Sequence, residues 1–596
     1  MGGVKARFRP ALLAAVLSLC GATTQAATIS IDDSPAGQRQ VIDGFGTCIG
    51  AGGSQDWFQR AYYDDMACSI MRMDLTPAFK SPYSDHSYNS PWFSNPPPLK
   101  IDDPASPGGP ERNFVRTYTN AADYTREFGG NRASIAVMGA DIAKNIAFFD
   151  YNQTSAQGAM AQAGIARKAQ LGDFKLYGSM WSPAPWVKIA NGQKWGDHQG
   201  VMPATGTPFP FIWNGNFAGG KLDTSNTPLA VFDDGAGPTS ALTQFARCTA
   251  AYIKGFQDKY GVRFYAISIQ NELNFPEFYH SCVYATAPEY IAALKAVRKE
   301  FDAQPDLKDI RIVGPEDVIG GDPYSMWQFG SGPQVTHKNL QYLAAIAKDD
   351  EAAAALSFFC IHGYANDGAT AAGADSRLWR WWIDGWKESP APGIPADVPG
   401  FAAYHKKSWM TESSGEKSAW LEPADGFPGN GAWSIALKMQ QALTTGQESA
   451  CLYWQFADGD GHATTVECLT KQQDAAQEPK YVAFKHFAKY IRPGSVAVST
   501  IVTDAHGITA SAYLNEAGRS ITIELVNRDP QAEPVSMVLP RQFDQAYAFD
   551  SISSCEGHLW QNEPYTRQNG TVTLTVPGYG ITTFLEVALR GTHVVP

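Results

Sequence analysis

Residues 264–272 read FYAISIQNE, an apolar run rich in β-branched and aromatic residues that ends in an Asn-Glu pair. The first part of this run is typical of a buried β-strand. A carboxylate at the end of such a strand is costly to bury as an ion. Glu272 is therefore expected either to face solvent or to lie in a pocket opposite a second functional group.

Seven similar runs accompany this one, and most are followed by a helical stretch. Eight units in series predict an α/β protein with a (β/α)8 TIM barrel over about residues 41–490. ASIAVMG (133–139) is interpreted as an inserted strand, and Trp379, Trp382 and Trp386 as one core-facing side of a helix. The eight runs are VIDGFG (41–46), SIMRMDL (69–75), FKLYGSMWS (174–182), FYAISIQNE (264–272), IRIVGPE (310–316), LSFFCIHGY (356–364), KSWMTE (407–412) and LYWQF (452–456).

After residue 490 the pattern changes to period-two alternation, as in SITIELVNR (520–528) and TVTLTV (571–576). This alternation predicts a C-terminal, side-packed antiparallel β-sandwich over 491–596. The strand TISID lies in the segment 27–40, before the barrel, and is expected to join that sandwich. The two domains would then be pinned together by the N-terminal strand.

The first 26 residues have the organisation of a secretory signal peptide, in which basic residues precede ALLAAVLSL and a small-residue stretch ends near Ala26. The prediction is a secreted protein, extracellular or periplasmic, with eight cysteines in the mature chain whose pairing is open. No later run reaches the roughly 18 apolar residues of a membrane span, so stable membrane insertion is not expected. The formal charge of −12 argues against a nucleic-acid partner.

The reacting groups of a TIM barrel lie at the C-terminal ends of its strands. Two glutamates stand out there, Glu272 at the end of the fourth strand and Glu412 at the end of the seventh. These strand ends face each other across the barrel mouth, so the two side chains are expected to meet. Two carboxyl groups about 5 to 5.5 Å apart suit a retaining glycosidase, with one as nucleophile and the other as a protonated acid. The polar strand-end residues are Asp74, Trp181, Asn271, Glu272, Glu316, His362, Tyr364, Glu412 and Trp454.

The order and spacing of several segments resemble glycoside hydrolase family 30, whose fold has a barrel with a side-packed β-sandwich. The resemblance implies that Glu272 is the acid/base and Glu412 the nucleophile, and that Asn271 binds the sugar 2-hydroxyl. It also places Arg72 and Tyr364 beside the nucleophile and Trp181 and Trp454 at the walls of the sugar subsite. The segments are DGFG (43–46), SMWSPAPWVK (179–188), SIQNE (268–272), HGY (362–364), WMTE (409–412), LYWQF (452–456) and KHFAKYIRPGS (485–495).

Three side chains near these motifs are given no direct catalytic role. Glu316 is expected to bond only to loop amides and is left out of the site. His362 is either a hydrogen-bonding partner of the site or a satisfied barrel histidine, and Trp186 is expected to pack beneath its loop. No His or Cys accompanies His362 at metal-ligand spacing, so neither a metal nor another cofactor is expected.

The predicted activity is hydrolysis of a β-linked oligo- or polysaccharide of the xylan, β-1,6-glucan or β-1,6-galactan type. The alternatives are a glucosylceramidase-like or exo-acting β-glycosidase on the same site, or a non-catalytic carbohydrate-binding protein on the same scaffold. A redox enzyme built on the glycine-rich stretch GFGTCIG (44–50) is disfavoured, because its glycines lack the GxGxxG spacing.

Overall fold

A closed barrel of eight parallel strands organises the larger part of the molecule. The computed structural model confirms the predicted TIM barrel, with strands in chain order around the ring. The strands are β1 (Gly44–Cys48), β2 (Ile70–Leu75), β3 (Lys175–Met180), β4 (Phe264–Ser268), β5 (Arg311–Val318), β6 (Phe358–His362), β7 (Ser408–Glu412) and β8 (Ala450–Tyr453). The structure describes residues 26–49, 53–80, 135–181, 183–190, 220–273, 284, 286–318, 338–363, 376–389, 395–422, 431–457, 467–470, 475–515, 520–543 and 547–587.

One predicted strand begins later than expected, and another predicted strand is absent from the described residues. The first barrel strand starts at Gly44, because Gly44 has φ +133° and turns the chain away from the preceding strand Gln38–Val41, which pairs with the sandwich instead. The stretch 135–139 forms no strand. The Met138 amide donates to Gln244 Oε1 at 2.6 Å, and its carbonyl accepts from Gln244 Nε2 at 2.9 Å, so a side chain supplies the bonds of a sheet partner.

Amphipathic helices surround the barrel and begin at recognisable caps. The helix Ala287–Asp302 starts with a capping box between Thr286 and Glu289, and Ser240 caps Ala241–Tyr260 by accepting from the Thr243 amide. The indoles of Trp379, Trp382 and Trp386 are buried, which confirms their predicted core role, but Trp386 lies in the short strand Gly385–Trp386 and not on the helix, which ends at Asp384. The other helices are Asp56–Gln59, Arg60–Asp65, Ile142–Ile146, Ser155–Ala166, Lys168–Leu171, Lys338–Ile346, Asp350–Ala355, Ser376–Asp384, Ser434–Thr444 and Pro479–Tyr490.

Inside the barrel, apolar side chains fill the lower layers and leave the C-terminal mouth to polar groups. Ile70, Tyr177, Val313 and Trp409 belong to one buried cluster within the ring. Outward-facing residues of the same strands join the larger core beneath the helices.

The C-terminal strands form a β-sandwich with its own apolar core. The strand Ala27–Asp32 lies within it, antiparallel to Val496–Thr503 and parallel to Glu533–Val538. The remaining strands are Ile508–Asn515, Ser520–Asn527, Tyr547–Cys555, His558–Asn562, Tyr565–Gln568, Thr571–Val576 and Ile581–Val587. The sandwich of the sequence-based fold class is thus present, and the N-terminal segment runs through its centre.

The barrel and sandwich share a buried polar interface. From the helix Pro479–Tyr490, His486 bonds Thr583 at 2.7 Å and Ser554 at 2.8 Å on the sandwich. Burial lowers the pKa of His486 to about 3, so the ring is neutral and bridges two hydroxyl groups. Such satisfied contacts hold the sandwich in a defined position against the barrel.

The sequence left the cysteine pairing open and predicted no membrane-spanning segment. Seven of the eight cysteines expected in the mature chain lie among the described residues, and no disulfide joins any two of these seven; Cys282 and residues 1–25 lie outside them. No described helix combines the length and the apolar character needed to cross a bilayer.

Candidate active site

Glu272 and Glu412 lie together at the mouth of the barrel, as the strand-end positions predict. Glu412 is the last residue of β7, and Glu272 follows β4 by four residues. Their side chains are almost fully buried, and an oxygen of each lies within 4.8 Å of the other and of a ring nitrogen of His362. This spacing is closer to the roughly 5 to 5.5 Å of a carboxyl pair in which one group attacks the reacting carbon than to the roughly 6.5 Å or more of a pair that activates a water.

Arg72, on β2, contacts both Glu412 and Asn271. Its Nη1 lies 2.7 Å from Glu412 Oε2, and its Nη2 donates to Asn271 Oδ1 at 2.6 Å. The guanidinium is fully buried, so the ion pair is shielded from water. A planar fork of fixed donors suits this arrangement, because it fixes Glu412 and Asn271 relative to each other.

Glu316, near the end of β5, is part of the site, so the expectation that it bonds only to loop amides was wrong. Its Oε1 lies 3.3 Å from Arg72 Nη2, and its Oε2 accepts from Ser179 Oγ at 2.6 Å. Burial opposes the charge, but Arg72, His362 and Ser179 outweigh that cost and lower the pKa of Glu316 to about 2. Glu316 is therefore an anion within the barrel mouth.

The backbone links Glu316 to the predicted acid/base. The Glu272 amide donates to the Glu316 carbonyl at 2.8 Å, and both residues have left-handed φ, +39° and +56°. Left-handed backbone is unfavourable for non-glycine residues and is found mainly where the surrounding structure imposes it. The sequence signal was available, since Glu316 ends an apolar strand just as Glu272 and Glu412 do.

His362 contacts the carboxylate cluster and is thus a hydrogen-bonding partner of the site. Its Nδ1 lies 2.8 Å from Glu272 Oε1, and its Nε2 lies 3.5 Å from Glu316 and 3.6 Å from Glu412. Burial disfavours the charged ring, but Glu412, Glu272 and Glu316 together raise the pKa of His362 to about 10. The ring is then an imidazolium, whose Nδ1 donates to Glu272 and whose positive charge lies near Glu316 and Glu412.

Glu272, His362 and Glu412 are also the described residues whose grouping could hold a metal ion. An imidazolium has no lone pair for a metal, and the Arg72 guanidinium already supplies a positive charge to Glu412. The donor set therefore fits carboxylate chemistry with protein cations better than metal binding.

Two tryptophans lie beside the cluster, Trp181 directly after β3 and Trp454 directly after β8. Trp181 and Trp454 stack with ring centres 5.1 Å apart, and the Arg72 guanidinium lies 5.6 Å from the Trp454 ring centre. Both indoles are half-buried and present aromatic surface to the mouth. Trp186 is buried against Phe79, as expected, whereas Tyr364 lies outside the described residues.

The fold is similar to that of several solved glycoside hydrolase structures. No protein-family model and no curated protein matches the chain. A family 30 endoxylanase from Clostridium papyrosolvens C71 matches with a TM-score of 0.57 and 17% identity, over 95% of this chain and 100% of that one. A family 30 subfamily 8 xylanase from Clostridium acetobutylicum matches with a TM-score of 0.56 and 17% identity, over 94% and 100% of the two chains. An endo-β-1,6-glucanase matches with a TM-score of 0.56 and 14% identity, over 95% and 94%. The chain thus has the barrel-and-sandwich fold of these glycoside hydrolase structures.

Proposed function

We propose that this protein is a retaining β-glycoside hydrolase that acts on a β-linked glycan. The observation that carries the proposal is the buried pair Glu272 and Glu412, with oxygens within 4.8 Å at the ends of β4 and β7. A pair this close favours covalent attack by one carboxylate over activation of a water by a distant one. Arg72 and Asn271 beside the pair add the donors that such chemistry uses.

In the first step, Glu412 attacks the anomeric carbon and the bond from that carbon to the leaving oxygen breaks. Glu272 gives its proton to the departing oxygen. Arg72, 2.7 Å from Glu412, orients the attacking carboxylate. Asn271, held at its oxygen by Arg72, offers its amide nitrogen to a sugar hydroxyl, a contact that strengthens as positive charge develops on the ring.

In the second step, a water replaces the released group. Glu272 takes a proton from this water, the oxygen attacks the anomeric carbon, and the bond to Glu412 breaks. Two inversions leave the configuration of the sugar unchanged. His362, 2.8 Å from Glu272, keeps that carboxyl group oriented in both steps.

The substrate class rests on the stacked tryptophans and on the compared structures. Trp181 and Trp454 offer aromatic surface to the apolar face of a sugar ring. The compared structures are described as xylanases and an endo-β-1,6-glucanase. We therefore assign a neutral polysaccharide of the xylan, β-1,6-glucan or β-1,6-galactan type, reached after export directed by the N-terminal signal sequence.

The experiment is hydrolysis of a panel of xylan, glucuronoxylan, β-1,6-glucan, β-1,6-galactan and aryl β-glycosides, with the first-formed anomer read by NMR. Retention is expected, and net inversion would refute the two-step mechanism. In Glu272→Ala, added azide should restore cleavage of an activated aryl glycoside and yield a β-glycosyl azide, because azide needs no general base. Glu412→Gln should bind glycan without cleaving it; unchanged hydrolysis would remove Glu412 from the mechanism.

A further inference from the structure

Asp74 is a carboxylate of the barrel mouth that the mechanism above does not use. It lies on β2, where alternate residues face the barrel interior: Ile70 belongs to the interior cluster and Arg72 to the site. Met71 and Met73 pack on the opposite side, beneath the helices. The alternation therefore places Asp74 one layer above Arg72, toward the opening.

The surroundings of Asp74 leave it available to a ligand. Its side chain is half-buried, and among the described residues the hydrogen bond to its carboxylate comes from Cys48 Sγ, 3.5 Å from Oδ1. A thiol is a weak donor, so this contact satisfies little of the carboxylate's accepting capacity. Glu316, by contrast, has Ser179 and Arg72 on its two oxygens.

The charge environment is that of a site close to the reacting pair. The pKa of Asp74 is raised to about 7, because burial and the negative charge of Glu412 together outweigh the opposing effect of Arg72. A carboxyl group that is half-protonated near neutral pH both accepts from and donates to hydroxyl groups. Sugar hydroxyls have this same dual character.

We propose that Asp74 is a specificity-determining residue that binds hydroxyl groups of the neutral sugar ring attacked by Glu412, and that it disfavours a uronic acid in that position. The inference deepens the proposed function and rests on it. The two stacked tryptophans would contact the face of the sugar ring. Asp74, near the end of the strand that carries Arg72, would form hydrogen bonds with hydroxyl groups at the edge of that ring. A uronate carboxylate there would meet Asp74 and Glu412, and like charges at a half-buried site repel strongly.

The test compares wild type with Asp74→Asn, which keeps the shape and removes the charge. The substrates are aryl β-glycosides of a neutral sugar, its monodeoxy analogues and the glucuronide. Loss of a charged hydrogen bond should lower kcat/KM on the neutral sugar by about 10- to 100-fold. The loss should be much smaller on the analogue that lacks the contacted hydroxyl, and the relative rate on the glucuronide should rise. An equal loss on every substrate would overturn the proposal.

Asp258→Asn is the matched control, because it removes one carboxylate charge from a half-exposed residue on the outer helix Ala241–Tyr260. It should leave the ratios among the substrates unchanged. Urea unfolding of both variants shows whether a loss of rate reflects a loss of fold. A shift in these ratios in Asp258→Asn would overturn the assignment to Asp74.

A binding arm separates this inference from the proposed hydrolysis. In the Glu412→Gln background, calorimetry measures the affinity for a neutral oligosaccharide with and without Asp74→Asn. A weakening of about 10-fold or more supports the contact even if the wild-type protein proves to hydrolyse nothing. Equal affinities, or no sugar binding by either protein, would overturn it.

Discussion

Replacing Glu316 by Gln would test whether the carboxylate cluster is an ionised network. Glu316 is fully buried, and its pKa falls from an ordinary value near 4.5 to about 2. Each pKa unit corresponds to about 1.4 kcal/mol, so ionised Glu316 contributes about 3 kcal/mol to the free energy of unfolding at neutral pH. Removing one partner of a buried ion pair costs a comparable amount, about 3 to 5 kcal/mol.

The sign of the pH dependence follows from the lowered pKa. The contribution of Glu316 is complete above its unfolded pKa, near 4.5, and disappears as the pH falls toward 2. Wild type should therefore lose about 3 kcal/mol of stability from this group over that range. Glu316→Gln should lack this component of the acid loss and be less stable at pH 7.

Urea unfolding followed by tryptophan fluorescence at pH 7 and at intervals down to pH 2.5 measures both quantities. Glu351→Gln is the control: its side chain is 75% exposed and its ion pair with Lys295 should contribute less than about 1 kcal/mol. If Glu316→Gln matched wild type within about 1 kcal/mol at pH 7 and declined equally in acid, the reasoning would be refuted.

Four further outcomes are expected. Arg72→Lys should lower kcat by about 100-fold, because an ammonium cannot pair with Glu412 and Asn271 in one plane. Steady-state kinetics would measure this loss, with circular dichroism as a check of folding, and an unchanged kcat would contradict it. His362→Asn should move the alkaline limb of the pH profile of kcat/KM to higher pH, because loss of the imidazolium removes a positive charge beside Glu272. An unchanged alkaline limb would contradict the assignment of a positive charge to His362. Asp74→Asn should stabilise the protein by about 1 kcal/mol at pH 8 and by little at pH 4. Burial raises the pKa of Asp74 from 3.8 to about 7, so the cost of its ionisation to the folded state builds up over this pH range and is complete above it, and the partial exposure of the side chain reduces that cost. Equal urea midpoints at pH 8 would argue against this prediction. Thiol titration of the denatured, unreduced protein should detect at least seven thiols, because no disulfide joins the seven cysteines of the described residues, and fewer would indicate disulfides.

Much of the fold was predictable because local pattern and burial agree along the chain. Each of the eight predicted runs overlaps an observed barrel strand, since buried parallel strands require continuous apolar sequence. The stretch 135–139 failed because its apolar residues are buried without a strand partner, and the Gln244 side chain bonds the Met138 backbone instead. Period and composition report burial there, but they cannot report where the backbone hydrogen bonds go.

The site was predictable in part for the same reason. Glu272 and Glu412 were identifiable because barrel topology brings strand ends four and seven to one mouth. Glu316 carries the same strand-end signal, but its importance depends on contacts with Arg72 and Ser179 from two other strands. Those contacts join residues more than 100 positions apart in the chain, and no local pattern records them.

The barrel, the sandwich and the polar residues that close each strand could be predicted without a structure, because hydrophobic periodicity is a local property. Tertiary structure alone decided the charge states: Glu316 has a pKa of about 2, Asp74 about 7 and His362 about 10. Identical carboxyl groups differ in this way because burial and the distance to Arg72 set the cost of each charge, and both quantities exist only in the folded chain.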